Sequence, residues 1–371
     1  MITLSEILRA EVAASGVLPF ARFMELALYC PDSGYYETRK DIVGRRGDFY
    51  TSASTGALFG ELLAFQFASW LEEMQDAECA VRIVEAGAHD GHLAKDVLNW
   101  LQLHRPELFH EIEYWLIEPS SLRQQWQKET LKNFSNVRWH TGFQSIAADA
   151  LPLSGIIFSN ELLDAMPVHR HGWDAKNRKW FEWGVATEGE KFVWARIHQS
   201  GVRSRTSEAD LPSTLYQLPS SFLDVLPDGY IIESSPAAEN WWRSAAGILG
   251  HGKLLAIDYG LTADELFSPA RTNGTLRAYC QHHASDDVLA NVGEQDLTAH
   301  VNFSAIEKVG EAAGLKTEVF CSQAKFLTQI LERTLADKSF GGWNSGRTRQ
   351  FQTLTHPEHL GRAFRVLVQS R

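Results

Sequence analysis

Cysteine is scarce in this sequence: four residues in 371, Cys30, Cys79, Cys280 and Cys321, with no C-x-x-C pair among them. That spacing offers neither a zinc knuckle nor a disulfide framework, and it predicts reduced thiols and no cysteine-built metal site. Positive charge is also short, with 35 Lys and Arg against 46 Asp and Glu and a formal net charge of -11. A nucleic-acid binder normally presents a basic surface, so nucleic acid is not an expected partner. No apolar run reaches the roughly 18 residues of a membrane span. The opening MITLSEILRAEVAASG mixes charge into a helical pattern instead of forming a signal peptide, with Thr3 and Glu6 at capping-box spacing and Gly16 as a stop. A cytoplasmic protein without membrane insertion is the expectation. The dinucleotide fingerprint G-x-G-x-x-G is absent too, which disfavours a nicotinamide-dependent oxidoreductase.

What is present is an ordinary globular composition, 44% hydrophobic and 22% charged, long enough for one elaborated domain or two. Residues 1–78 read as an N-terminal helical region followed by a polar loop. From Val81 the pattern alternates. VRIVEAG, EYWLIEP, GIIFSNE and KLLAIDYG look like buried strands, and HLAKDVLNWLQLH, SSLRQQWQKETLKNF and SSPAAENWWRSAAGIL like helices. Such alternation predicts an α/β fold with a mostly parallel sheet covered on both faces. Residues 79–167 would form its first half and 229–371 its second. Between them, 168–228 reads as an inserted antiparallel β lobe, whose Trp180, Trp183 and Trp194 suit a small core. A polar stretch at 261–295 reads as a lid-like connection.

Each of the four strands carries an acid at or near its C-terminal end: Glu85, Glu118, Glu161 and Asp258. Ligands of open α/β sheets bind beyond those ends. The turn in EAGAHDG, with Gly87 and Gly91, allows close backbone approach. Three readings of it are open: a cofactor turn, a metal site built on His89, Asp90 and His92, or a plain strand end. An acid after the first strand suits an ammonium group, and Glu118 after the next suits two ribose hydroxyls. S-adenosylmethionine has both features and lacks a pyrophosphate.

GDFYTSASTGALFGELLA, IVEAGAHDGHLAKDVL, SNELLDAMPVHR, LLAIDYG and LTAHVNFSAIEKVGEAAGL occur in the order and approximate spacing of the MidA-like methyltransferases, which the chain resembles over nearly its whole length. That family includes a mitochondrial arginine methyltransferase that assists assembly of respiratory complex I. The resemblance implies a Rossmann-like class I methyltransferase sheet of seven strands and S-adenosyl-L-methionine as cofactor. It implies a cofactor site at Glu85, Gly87, Ala88, His89, Gly91 and Glu118. It also implies a covering loop with Asp48, Thr51 and Ser52, and Asn160 and Glu161 beside the transferred methyl. The family usually has glycine where this chain has His89.

The acceptor expected from the resemblance is an arginine of a partner protein, and a homodimer is an admissible assembly. An arginine cannot be deprotonated beforehand, so carboxylates would have to clamp and aim it. Glu161 and Asp164, three apart, would share a face if a helical turn followed the strand, and Asp258 would add to the same crevice. His282, in CQHHASDD, reads equally as a general base and as a loop histidine. Two other functions stay open: an assembly factor with weakened catalysis, favoured by His89, and a small-molecule methyltransferase.

Overall fold

A computed structural model describes residues 2–38, 51–74, 81–149, 152–197, 220–280, 283–358 and 360–371. The chain divides into two compact units: Met1–Arg39, Asp164–Asn240 and Leu261–Ile306 make one, and Lys40–Leu163, Trp241–Gly260 and Glu307–Arg371 the other.

The second unit is built on seven strands: β1 (Val81–Ala86), β2 (Glu113–Ile117), β3 (Val137–His140), β4 (Leu153–Asn160), β5 (Leu249–Leu261), β6 (Lys316–Ser322) and β7 (Phe364–Ser370). Their order across the sheet is β6-β7-β5-β4-β1-β2-β3. β1 runs parallel to β2 and β4, β3 to β2, and β5 to β4, whereas β7 is antiparallel to both β5 and β6. This is the predicted α/β class, and its order turns back beside β1, the place where open sheets hold ligands.

The sequence explains why β4 sits centrally. LSGIIFSN is buried at every position but the last, as a strand covered on both faces must be. Gly155 permits its closest approach to β1: a Cβ there would lie 2.0 Å from the Arg82 carbonyl oxygen. On one face Ile83, Tyr114, Ile156, Phe158, Leu255 and Val366 pack with residues of α1 (Leu58–Glu73), α2 (His92–His104) and a further helix, Gln323–Ala336. On the other, the Trp242 indole donates to Gln369 Oε1 at 2.8 Å. The helix α3 (Ser121–Thr130) follows β2 and is capped by the Ser120 hydroxyl, which accepts from the Arg123 amide at 3.2 Å.

In the first unit Thr3 and Glu6 form the predicted capping box, and Gly16 ends the helix Leu4–Ser15 at φ 78°. Strands His169–Asp174, Lys179–Glu188 and Lys191–Arg196 pair antiparallel, and Ile231–Ser234 pairs antiparallel with the first of them. Trp173, Trp180 and Tyr230 form a small core there, so Trp180 is a packing residue. Arg277–Cys280 pairs antiparallel with His283–Ser285 and Asp296–Thr298, giving the 261–295 stretch a small sheet. No helix among the described residues is long and apolar enough to cross a membrane.

Candidate functional site

The C-terminal ends of β1, β2, β4 and β5 carry the candidate site. After β1 the chain turns through three residues in the left-handed region, Gly87 at φ 77°, His89 at 47° and Gly91 at 85°. The turn closes on a hydrogen bond from the Gly91 amide to the Ala88 carbonyl at 2.7 Å. A Cβ on Gly87 would lie 3.0 Å from Leu162 Cδ1, so this turn packs on the one that follows β4.

Glu85 does not point into solvent. It is buried, and the Tyr114 hydroxyl donates to it at 2.5 Å. Burial pushes its carboxyl up to about 7, against the lowering effect of that hydrogen bond. A raised folded-state pKa favours folding while the group is protonated, and that contribution is lost as pH rises through about 7. With an ordinary value of 4.5 against about 7, the ionised Glu85 costs the fold roughly 3 kcal/mol. Glu85→Gln is therefore expected to melt well above the wild type at pH 8.5 and with it at pH 4. Equal melting curves at both values would refute the assignment.

Glu118, directly after β2, is buried as well. Its Oε1 accepts from the Ser120 amide at 2.9 Å and from Arg123, Nε and Nη2, at 3.0 Å each. Gln127 Nε2 donates both to Glu118 Oε2 at 3.3 Å and to the His89 carbonyl at 3.0 Å, while the Trp139 indole holds Gln127 Oε1 at 3.0 Å. Two loops expected to face one ligand are thus fastened together by a buried amide. Arg123 and Gln127 escaped the sequence reading. Their signal was helical spacing, five and nine residues beyond Glu118, visible only once Ser120 is read as the cap.

The turn after β4 holds the third group. Glu161, at φ 54°, accepts on Oε1 from the Ser52 amide at 2.9 Å and from Asn160 Nδ2 at 3.1 Å. Ser52 is buried and donates through its hydroxyl to Gln323 Oε1 at 3.0 Å. Thr51 is occupied with its own turn, its hydroxyl accepting from the Ser54 amide at 3.0 Å. Asn160 Oδ1 is buried with no hydrogen-bond partner among the described residues.

Asp258 is fully buried, and its described bonds run to backbone. Oδ2 accepts from the Leu162 and Leu163 amides at 3.1 and 2.8 Å, and Oδ1 from the Tyr259 amide at 2.8 Å. It fixes the turn that carries Glu161, where an acid lining the crevice was expected.

No helix follows β4. Residues 161–166 are turn and bend, so the spacing of three between Glu161 and Asp164 stacks nothing. Asp164 belongs to the other unit, where it is buried. In that unit the Tyr36 hydroxyl, which donates to Asp296 at 2.7 Å, is pushed well above the ordinary phenol range, first by burial and then by Asp296, Tyr29 and Asp164. Asp48 and His282 lie outside the described residues, as do Arg39, Lys40, Arg45 and Arg46. Asp90 pairs with His92 at 2.7 Å and more distantly with His89 at 3.8 Å.

These features suit a ligand with a ribose and a cationic amino-acid tail. A glycine cradle stands at the turn, a carboxylate follows β2, and Asn160 Oδ1 offers an unused acceptor.

Comparison with known proteins points the same way. A family model described as "Putative S-adenosyl-L-methionine-dependent methyltransferase" matches residues 62–321. The Drosophila melanogaster "Protein arginine methyltransferase NDUFAF7 homolog, mitochondrial" is 26% identical over 98% of this chain and 84% of its own. The human protein arginine methyltransferase NDUFAF7, mitochondrial, is 26% identical over 95% and 80%. A crystal structure from Burkholderia thailandensis, described as a "likely methyl transferase" bound to S-adenosyl-homocysteine, superposes with a TM-score of 0.82 at 32% identity, covering 99% of this chain and 92% of that one. The chain belongs to this family of S-adenosyl-L-methionine-dependent methyltransferases.

Proposed function

We propose that the enzyme methylates an arginine side chain of a partner protein, with Glu161 as the group that aims the guanidinium. The observation that carries this reading is the pair of bonds from Ser52 and Asn160 that orient the Glu161 carboxylate on its strained turn at the end of β4. The names of the animal relatives supply the acceptor class. The enzyme would act in the cytoplasm, whereas those relatives are named as mitochondrial.

Bound S-adenosylmethionine supplies an electrophilic methyl on a sulfonium. The residues proposed to hold it are Gly87, Ala88, His89 and Gly91 at the turn, Glu118 at the ribose, and Glu85 and Asn160 toward the cationic tail, with Thr51 and Ser52 as cover; Asp48, proposed for the same role, lies outside the described residues. Glu161 then has two tasks. It accepts hydrogen bonds from the guanidinium, which lines one nitrogen up at the near-attack distance of about 3 to 3.5 Å. It also receives the proton that the nitrogen must lose once it carries the methyl, since the product remains a monocation. Asp258 acts through the turn, as a positioning residue.

The test uses the purified enzyme with methyl-labelled S-adenosylmethionine and protein extract from cells lacking it. Label recovered as methylarginine after acid hydrolysis, and reduced roughly 100-fold by Glu161→Gln, is the expected result. Label in another residue or in small molecules would overturn the arginine assignment.

A further inference from the structure

His89 stands where the backbone favours glycine, at φ 47°. A Cβ in the left-handed region is strained, and histidine tolerates it better than most residues without escaping the strain. The side chain then adds a second penalty. Only 20% of it is exposed, and Nε2 is buried with no hydrogen-bond partner among the described residues. A buried imidazole nitrogen without a partner is uncommon. One residue that combines a strained backbone with an orphaned polar atom, inside a ligand turn, is the pattern of a group kept for a ligand.

The ring is not loose. Its Nδ1 faces Asp90 at 3.8 Å, and its ring neighbours Trp126 of α3, tilted 51° to it with centroids 6.2 Å apart. Its carbonyl is tied through Gln127 to Glu118. The side chain therefore lies on the side of α3, the helix that follows β2 and Glu118. From the order of the sheet, that is the side on which a nucleoside lies, while the β4 side takes the remainder of the ligand.

We infer that the His89 imidazole is a binding residue for the nucleoside half of the cofactor, its Nε2 making a hydrogen bond that glycine at this position cannot make. The inference rests on the cofactor reading above. Histidine here strengthens the site where its family's usual residue only clears space.

Titration calorimetry separates the possibilities. The ligands are S-adenosylhomocysteine and 5′-methylthioadenosine, which lacks the amino-acid tail. The proteins are wild type, His89→Ala, His89→Gln and His89→Gly. Binding of both ligands should weaken about tenfold in the alanine and glycine variants, the worth of one hydrogen bond, and recover in part with glutamine. The glycine variant, relieved of strain, should melt no lower than wild type. Unchanged affinity in all variants would overturn the inference while leaving the cofactor reading intact. So would a loss confined to S-adenosylhomocysteine, or a loss of affinity that tracks a fall in Tm. Wild type that binds neither ligand would instead sink the cofactor reading itself.

Discussion

Asp258→Ala is expected to lower Tm by about 10 °C and to cut methyl transfer by at least about 100-fold. The carboxylate has no solvent to fall back on: it is fully buried and accepts from the amides of Leu162, Leu163 and Tyr259. Removing it strands three backbone N–H groups, that of Leu163 buried and those of Leu162 and Tyr259 partly buried, at roughly 1–3 kcal/mol for each that stays unsatisfied. For a unit of this size each kcal/mol moves Tm by about 2–4 °C. The loss of activity follows from the same bonds. Glu161 sits at φ 54°, a conformation that persists only while its surroundings over-determine it. Without the Leu162 and Leu163 anchors the turn relaxes and the Glu161 carboxylate leaves its bonds to Ser52 and Asn160. Asp258→Asn keeps one carbonyl oxygen for the two amides and should retain more stability than the alanine variant. A calorimetric scan and an initial-rate assay decide the matter. An alanine variant with wild-type Tm would remove Asp258 from its positioning role.

This prediction marks where the sequence stopped being legible. The sheet was readable because the centres of β4, Ile156–Phe158, and of β5, Leu254–Ile257, are buried and read as short apolar runs. The capping box at Thr3 and Glu6 was readable because its bonds are local. Asp258 was recognisable as an acid at a strand end, but its partners lie 95 and 96 residues away, and only the parallel register of β4 and β5 brings them within reach. The same holds for Glu85, whose tyrosine partner on β2 is 29 residues on. The helical turn on which the pairing of Glu161 with Asp164 depended is absent for a nearer reason. Glu161 is left-handed, and Pro167 disfavours helical backbone at the residue before it. The spacing of Glu161 and Asp164 therefore had no helix to act through. His89 shows the reverse. The sequence marked it as a departure from glycine, and the strain it carries is expressed at that position.

The second large effect is expected at the other end of the cofactor turn. If Glu118 meets the ribose as proposed, Glu118→Ala should weaken S-adenosylhomocysteine binding by roughly 1000-fold, through the loss of two charge-assisted hydrogen bonds of about 2 kcal/mol each. A second cost accompanies it. Arg123 is only 11% exposed and pairs with Glu118 Oε1 at 3.0 Å, so truncation leaves a buried guanidinium without this partner. Stability and affinity would then fall together, and the alanine variant alone could not say which came first. Arg123→Ala resolves this. It removes the same ion pair from the opposite side and leaves the carboxylate in place, still held by Ser120 and Gln127. If Glu118 meets the ribose, the Arg123 variant keeps affinity within about tenfold of wild type while Glu118→Ala does not. Equal losses in the two variants would mean that Glu118 serves to pin α3, and that the ribose is held by other groups. Glu118→Gln sharpens the distinction further, because an amide fills the same space yet accepts through only one oxygen. Its affinity should fall between wild type and alanine, with little change in Tm.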